Sequence, residues 1–426
     1  MRPRPFRAVP ARLVPAFALA LAAFGAYSPC SAQPAPAEAV PAAPAVVQPA
    51  LDAMGAAVVA GDVEAYLATV ARRSGYFLVE QREWAKDLTK AETRPKAFTA
   101  RAVGAGSVAA ERRPLVGLDG AMTGPVEVQV WTGPVRFAWT MPGKGPAARA
   151  GVEASVEFEA RFYKGEDGVW RYAGEALEVM ETPAAAIHYP KGAEAVARQV
   201  AEGFPAAKKH DDAFFGKAID RVEEIRLFDR RDVLQFSVYP SMFQTDTTLS
   251  GWSEPGQSIK FLTTYARDAR GWTAAFAHEY GHVCTWEMGE KASGMPWWAS
   301  EGIAELAAEE FTGGRPRVDR IIVRWARDGK LAEWSGLADY RTTDQSRRSH
   351  PYHQGQHLVG FVSDTLGAEK RNGWIRAMAK GDDVEKATKD VLGMAFGELD
   401  AKWRAHVEGL VKADAPAPAP AGAAAK

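Results

Sequence analysis

The sequence predicts an α+β protein: an N-terminal helix with a curved antiparallel sheet, then a mostly helical domain that carries a small sheet. Three observations carry this. A long run of alternating residues ends in a tight turn, "GEDG". The second half is dominated by stretches with helical periodicity. One of those stretches, "AFAHEYGHVCTWE", sets His278 and His282 four apart with Glu279 between them. The 426 residues suffice for two or three domains with real cores. Apolar residues at 47%, charged residues at 25% and a net charge of −1 are globular values with no basic stripe for nucleic acid.

The elements follow in chain order. "MRPRPFRAVPAR" holds Arg2, Arg4, Arg7 and Arg12 and no acid, and a short apolar run and the small residues "SPCSAQ" come next. That is the layout of a secretory leader, expected over 1–32 and cut after Ala32. The apolar run falls short of the roughly 20 residues a membrane span needs, so no integral membrane segment is expected once the leader is removed. Cys30 and Cys284 are the only cysteines, so removal of the leader leaves no partner for a disulfide. The chain is expected to be exported, to a periplasm or the extracellular space. Residues 33–49 read as an Ala/Pro linker and 413–426 as a second such tail.

Between them two domains are expected, 50–182 and 183–412. The first opens on a helical stretch, "LDAMGAAVVAGDVEAYLATVARR". Strands follow: "VEVQVW", the short companion "RFAWT", and the run in which Ala154, Val156, Phe158, Ala160 and Phe162 face one way and Glu153, Glu157 and Glu159 the other. The second domain begins with a helix through "KGAEAVARQVAEGFPAAKKHDDAFFG", a strand at "DVLQFSVYP" and the stretch "SGWSEPGQSIKFLTT". Helices continue to the end.

Residues four apart on a helix share a face, with Cβ atoms about 5–6 Å apart. His278 and His282 therefore suit one ion. Glu279 lies about 100° further round, where it can reach a water but not the same coordination position; this is the HExxH pattern. Pro296 then starts another helix, with Glu301 eighteen residues beyond His282. That leaves room for a turn and an antiparallel return, so Glu301 can be a third ligand. Glu305, one turn on, can accept from the free N–H of a liganding imidazole. Cys284 lies about 200° from His282 on the helix and is expected in the core.

"HEYGH…PWWASEGIAEL" resembles the peptidase MA-like family of gluzincin zinc metallopeptidases, over about 190–408. The resemblance implies a gluzincin-type metallopeptidase domain with one Zn²⁺ held by His278, His282 and Glu301. It makes Glu279 the general base, Tyr352 the stabiliser of the oxyanion, and a peptide or protein the substrate. "GQSIKFL" is expected as an exposed edge on which an extended peptide could pair. His353 and His357, also four apart, leave a second metal site conceivable. The opening "VVAGDVEAYLATV" is similar to the start of SnoaL-like domains, for 50–182, and implies no chemistry. Two alternatives stand beside hydrolysis. One is a catalytically silent exported zinc-binding module. The other is a ligand- or partner-binding N-terminal domain with an aromatic-lined cavity.

Overall fold

The computed structural model describes residues 40–42, 44–117, 124–142, 151, 153–244, 249–340 and 342–414. The expected leader, the start of the linker and the tail beyond 414 lie outside the described residues.

The N-terminal layer contains β1 (Val40–Ala42), α1 (Gln48–Ala60), α2 (Val63–Ala68), α3 (Gly75–Ala85), β2 (Ala97–Ala102), β3 (Gly106–Arg113), β4 (Val126–Thr140), β5 (Glu153–Lys164) and β6 (Trp170–Glu175). Gly61, at φ 72°, ends α1 in the left-handed region, and the Asp62 carboxylate caps α2 through the Ala65 amide. The strands form one antiparallel sheet in the order β1-β3-β4-β5-β6, with β2 also on β4. "VEVQVW" and "RFAWT" are the two halves of β4, a single strand of 15 residues. Its first half pairs with β3 and its second with β2. Pro134, which has no N–H to donate, sits where one partner gives way to the other. The alternation of β5 holds: Val156, Ala160 and Phe162 are buried, Glu153, Glu157 and Glu159 exposed. Leu51, Met54, Phe77 and Trp84 cover the inner face of this sheet.

A second sheet has the order β10-β11-β9-β8-β7, with β7 (Glu178–Glu181), β8 (Ala185–Tyr189), β9 (Glu223–Phe228), β10 (Gly251–Trp252) and β11 (Ile259–Leu262). The domain boundary expected near 182 falls between β7 and β8, which are neighbours in this sheet. β8, β9 and β11 are parallel, so each step between them needs a crossover. The first crossover is α4 (Glu194–Phe215); the second is α5 (Arg231–Val238). Here the structure corrects the sequence reading. "DVLQFSVYP" was expected as a strand, but its residues form α5 and the start of a 3-10 turn. "GQSIKFL" does not form the edge: β11 is flanked by β9 on one side and β10 on the other, and β10 is the edge.

Pleating sends Ile225 and Leu227 of β9, and Ile259 and Phe261 of β11, into the core beneath α4. Their alternates, Glu224 and Arg226 of β9 and Lys260 of β11, point the other way and meet the N-terminal layer. Helices complete the chain: α6 (Ala269–Trp286), α7 (Trp297–Ala307), α8 (Arg315–Arg327), α9 (His350–Leu366), α10 (Ala368–Ala379), α11 (Val384–Ala387) and α12 (Phe396–Ala413). Among the described residues no helix is long and apolar enough to cross a membrane. The described residues belong to one compact unit.

Candidate metal centre

Local chemistry starts both helices of the centre. The Asp268 carboxylate accepts from the Gly271 amide, 2.8 Å away, and opens α6. Pro296 precedes the first residue of α7. Helix α7 is held close to both neighbours by small residues. A Cβ on Gly281 would sit 3.3 Å from the Ala304 Cα, and a Cβ on Gly302 would be 2.5 Å from the Gly355 carbonyl carbon. α7 therefore runs tight between α6 and α9.

This packing brings the predicted side chains together. Oε2 of Glu301 lies 3.4 Å from Nε2 of His278 and 3.4 Å from Nε2 of His282. All three donor atoms fall within 4.8 Å of one another, and among the described residues no other group of three His, Cys, Asp or Glu side chains is so placed. Two donors about 2.0–2.1 Å from one zinc ion at a tetrahedral angle stand about 3.3–3.4 Å apart. The donors fit zinc in kind, and both Glu301–imidazole spacings match that value. The other Glu301 oxygen accepts from the Trp297 indole N–H at 2.8 Å, which leaves Oε2 turned toward the imidazoles. Nδ1 of His278 is 3.3 Å from Oε1 of Glu305, and Nδ1 of His282 is 3.4 Å from the Ser300 hydroxyl. Each imidazole thus has its second nitrogen beside an oxygen that can fix the tautomer.

The electrostatics suit a cation. Burial alone would lower the His278 pKa, but Glu301 and Glu305 outweigh burial and hold it well above the ordinary histidine value. Burial alone would raise the Glu301 pKa, but His282 and His278 hold it below the ordinary carboxylate range. Glu305 is likewise lowered against its burial, by His278.

Glu279 follows His278 on α6 and accepts a short hydrogen bond from the Ser253 hydroxyl. Tyr352, in the first turn of α9, stacks on His278 with ring centroids 6.1 Å apart and stands edge-on to Trp297. Burial first, then Glu301 and Glu279, push its phenol up, so it keeps its proton as a donor. Of the other α9 histidines, His353 is near enough to Glu305 to help lower its carboxyl, while the remaining two have partners elsewhere. The His350 ring stacks on Trp325, and His357 accepts from the Trp403 indole. Cys284 is buried in the core beneath the sheet.

Sequence reasoning missed Ser253, Trp297, Ser300 and Tyr265. Trp297 and Ser300 had a readable signal, since they lie four residues and one residue before Glu301. Ser253 touches Glu279 from the sheet side, Tyr265 is near enough for Glu279 to influence its phenol, and nothing in their local sequence says so. Tyr265 is 45% exposed and packs on Phe261; burial, then Glu279, raise its phenol.

No family model matches this sequence, and no curated protein does either. Among solved structures, an M1 zinc metallopeptidase from Deinococcus radiodurans is similar over 76% of this chain and 64% of its own, at 15% identity and a TM-score of 0.31. A two-domain M1 zinc metallopeptidase variant bound to L-arginine gives 14% identity, 76% and 63% coverage and a TM-score of 0.34. The chain spans less than two thirds of the length of either. The chemistry rests on the site's own geometry.

Proposed function

We propose that this protein is an exported zinc-dependent peptidase that hydrolyses peptide bonds with Glu279 as general base. The observation that carries the reading is the 3.4 Å spacing of Glu301 Oε2 from both imidazole nitrogens, with Glu279 next to them and free of any cation partner among the described ion pairs. A zinc ion held by His278, His282 and Glu301 would supply Lewis acidity, polarising a carbonyl and making water acidic near neutral pH. Glu279 accepts a proton from the attacking water and returns it to the leaving amine as the C–N bond breaks. The Tyr352 hydroxyl donates to the oxygen on which negative charge develops. Gly251 of the edge strand β10 is close enough that a Cβ there would lie 3.2 Å from Glu279 Oε1. An extended peptide added to that edge passes the base.

The rival reading, a silent zinc-binding module, has no use for a carboxylate at Glu279. For the N-terminal cavity reading, the hollow among Tyr66, Gln81, Trp84, Phe137, Tyr172 and Phe236 keeps only about 10 Å³, room for no more than one water, so that hollow lends it no support. The deciding experiment pairs metal analysis with digestion of a peptide library. Wild type should bind one zinc per chain and cleave. Glu279→Gln should bind zinc equally and lose at least about a hundredfold in kcat. Equal cleavage by that variant would remove Glu279 from the mechanism.

A further inference from the structure

Most of helix α5 is buried, and it touches both layers. Phe236 fills the hollow of the N-terminal layer, 4.9 Å from the Phe137 ring, 5.3 Å from Trp139 and 5.8 Å from Trp84. The Trp84 indole N–H donates to the Phe236 carbonyl at 2.9 Å, and the Lys260 ammonium reaches the Ser237 carbonyl at 3.3 Å. α5 is therefore clasped from both sides.

Tyr239 caps this helix. Its ring stands edge-on to Trp252, with centroids 6.2 Å apart, and its hydroxyl donates to Oε2 of Glu254 at 2.7 Å. The Gln257 amide donates to the same oxygen at 2.9 Å. Trp252 and Glu254 are the two neighbours of Ser253, whose hydroxyl is on Glu279. β10 is two residues long and pairs with β11 only at Gly251 and Trp252. So short a ladder does not fix a strand on its own; the side-chain grips on residues 252 and 254 add what it lacks.

We propose that Tyr239 is a positioning residue: it holds Trp252 and Glu254 so that the Ser253 hydroxyl orients the Glu279 carboxylate, and the N-terminal layer, by clasping α5, is the anchor for that hold. The inference rests on the reading of Glu279 as the base. It gives the N-terminal layer a part in catalysis without a ligand of its own.

The test compares Ser253→Ala, Tyr239→Phe and the double variant. Tyr239→Phe keeps the ring and removes only the hydroxyl. Loss of one oriented bond to a charged group corresponds to about a tenfold change in rate. Each single variant should lower kcat about tenfold with KM nearly unchanged, and the double variant should be no slower than Ser253→Ala alone, because both remove the same constraint. Losses that multiply in the double variant, or an unchanged kcat in Tyr239→Phe, overturn the proposal. Hydrogen exchange supplies a readout that needs no turnover. Amides of 250–254 should exchange about tenfold faster in Tyr239→Phe, while those of 276–284 keep the wild-type rate. Unaltered exchange at 250–254, or equal acceleration at 276–284, also overturns it. If the wild type hydrolyses nothing, the base assignment fails, and the exchange result alone still decides whether Tyr239 holds the strand.

Discussion

Glu305 shows how much of the proposed metal centre would lie outside its ligands. Its carboxylate is 3.3 Å from Nδ1 of His278, on the side of the ring away from the shared position. It draws a proton onto Nδ1 and leaves Nε2 with its lone pair for the ion. Glu305→Gln still offers an oxygen but has no charge to hold the tautomer. Zinc affinity of that variant, measured by competition with a chromophoric chelator, should fall about 10–100-fold. An affinity within twofold of wild type would mean that the pair is incidental. Trp297 works through the other ligand. With its indole N–H on Oε1, the Glu301 carboxylate cannot rotate freely, and a phenylalanine there would leave that oxygen to find water.

At the scale of elements, the centre depends on how closely α7 is allowed to lie. A Cβ on Gly355 would come within 2.2 Å of the Trp298 carbonyl oxygen, nearer than any real Cβ contact. Gly355→Ala must therefore push α9 from α7, at a cost of about 1–3 kcal/mol in a urea midpoint analysis. Tyr352 and Glu301 ride on those two helices, so the variant should lose activity beyond its loss of stability. The meeting of Glu301 with His278 and His282 was legible in the sequence because it rests on local periodicity: four residues on one helix, then a proline and a helix back. α5 was not legible. Val233, Phe236 and Val238 suit a strand by propensity, and only the parallel pairing of β9 with β11 requires a helix there. β9 itself, "EEIRLF", has no counterpart among the strands expected from sequence, and its charged residues Glu224 and Arg226 lie within the strand. Both are buried, and the groups that permit this, Arg73 for Glu224 and Glu80 for Arg226, lie about 150 residues earlier. Edge position fails for the same reason: "SGW" is too short to announce a strand, yet it is what moves β11 inward.

Across the whole molecule, the two layers meet through buried charge as well as rings. Glu80 of α3 is fully buried, with Arg226 Nη1 at 2.7 Å and Lys260 Nζ at 3.2 Å. The Ser258 amide donates to it at 3.2 Å, and Glu175 takes the other arm of Arg226. Burial alone would raise the Glu80 pKa, but Lys260 and Arg226 outweigh burial and bring it down to about 2. A carboxylate in the unfolded chain titrates near ~4.3. The folded value is the lower one, so the contribution of Glu80 is complete above ~4.3 and is lost as pH falls toward 2. Glu80→Gln keeps the shape and removes the charge. At neutral pH it strands Arg226 with one counter-ion fewer, and breaking a buried pair from one side costs about 3–5 kcal/mol. The gap in unfolding free energy between wild type and variant should therefore be largest near pH 7 and narrow steadily below pH ~4 as the wild type protonates. An exposed pair, Lys402 with Glu398 at 2.8 Å, supplies the contrast: Glu398→Gln should cost less than about 1 kcal/mol at any pH. A Glu80→Gln penalty that stays constant from pH 7 to pH 3 would mean that the side chain holds the layers together by fit alone, with its charge contributing nothing.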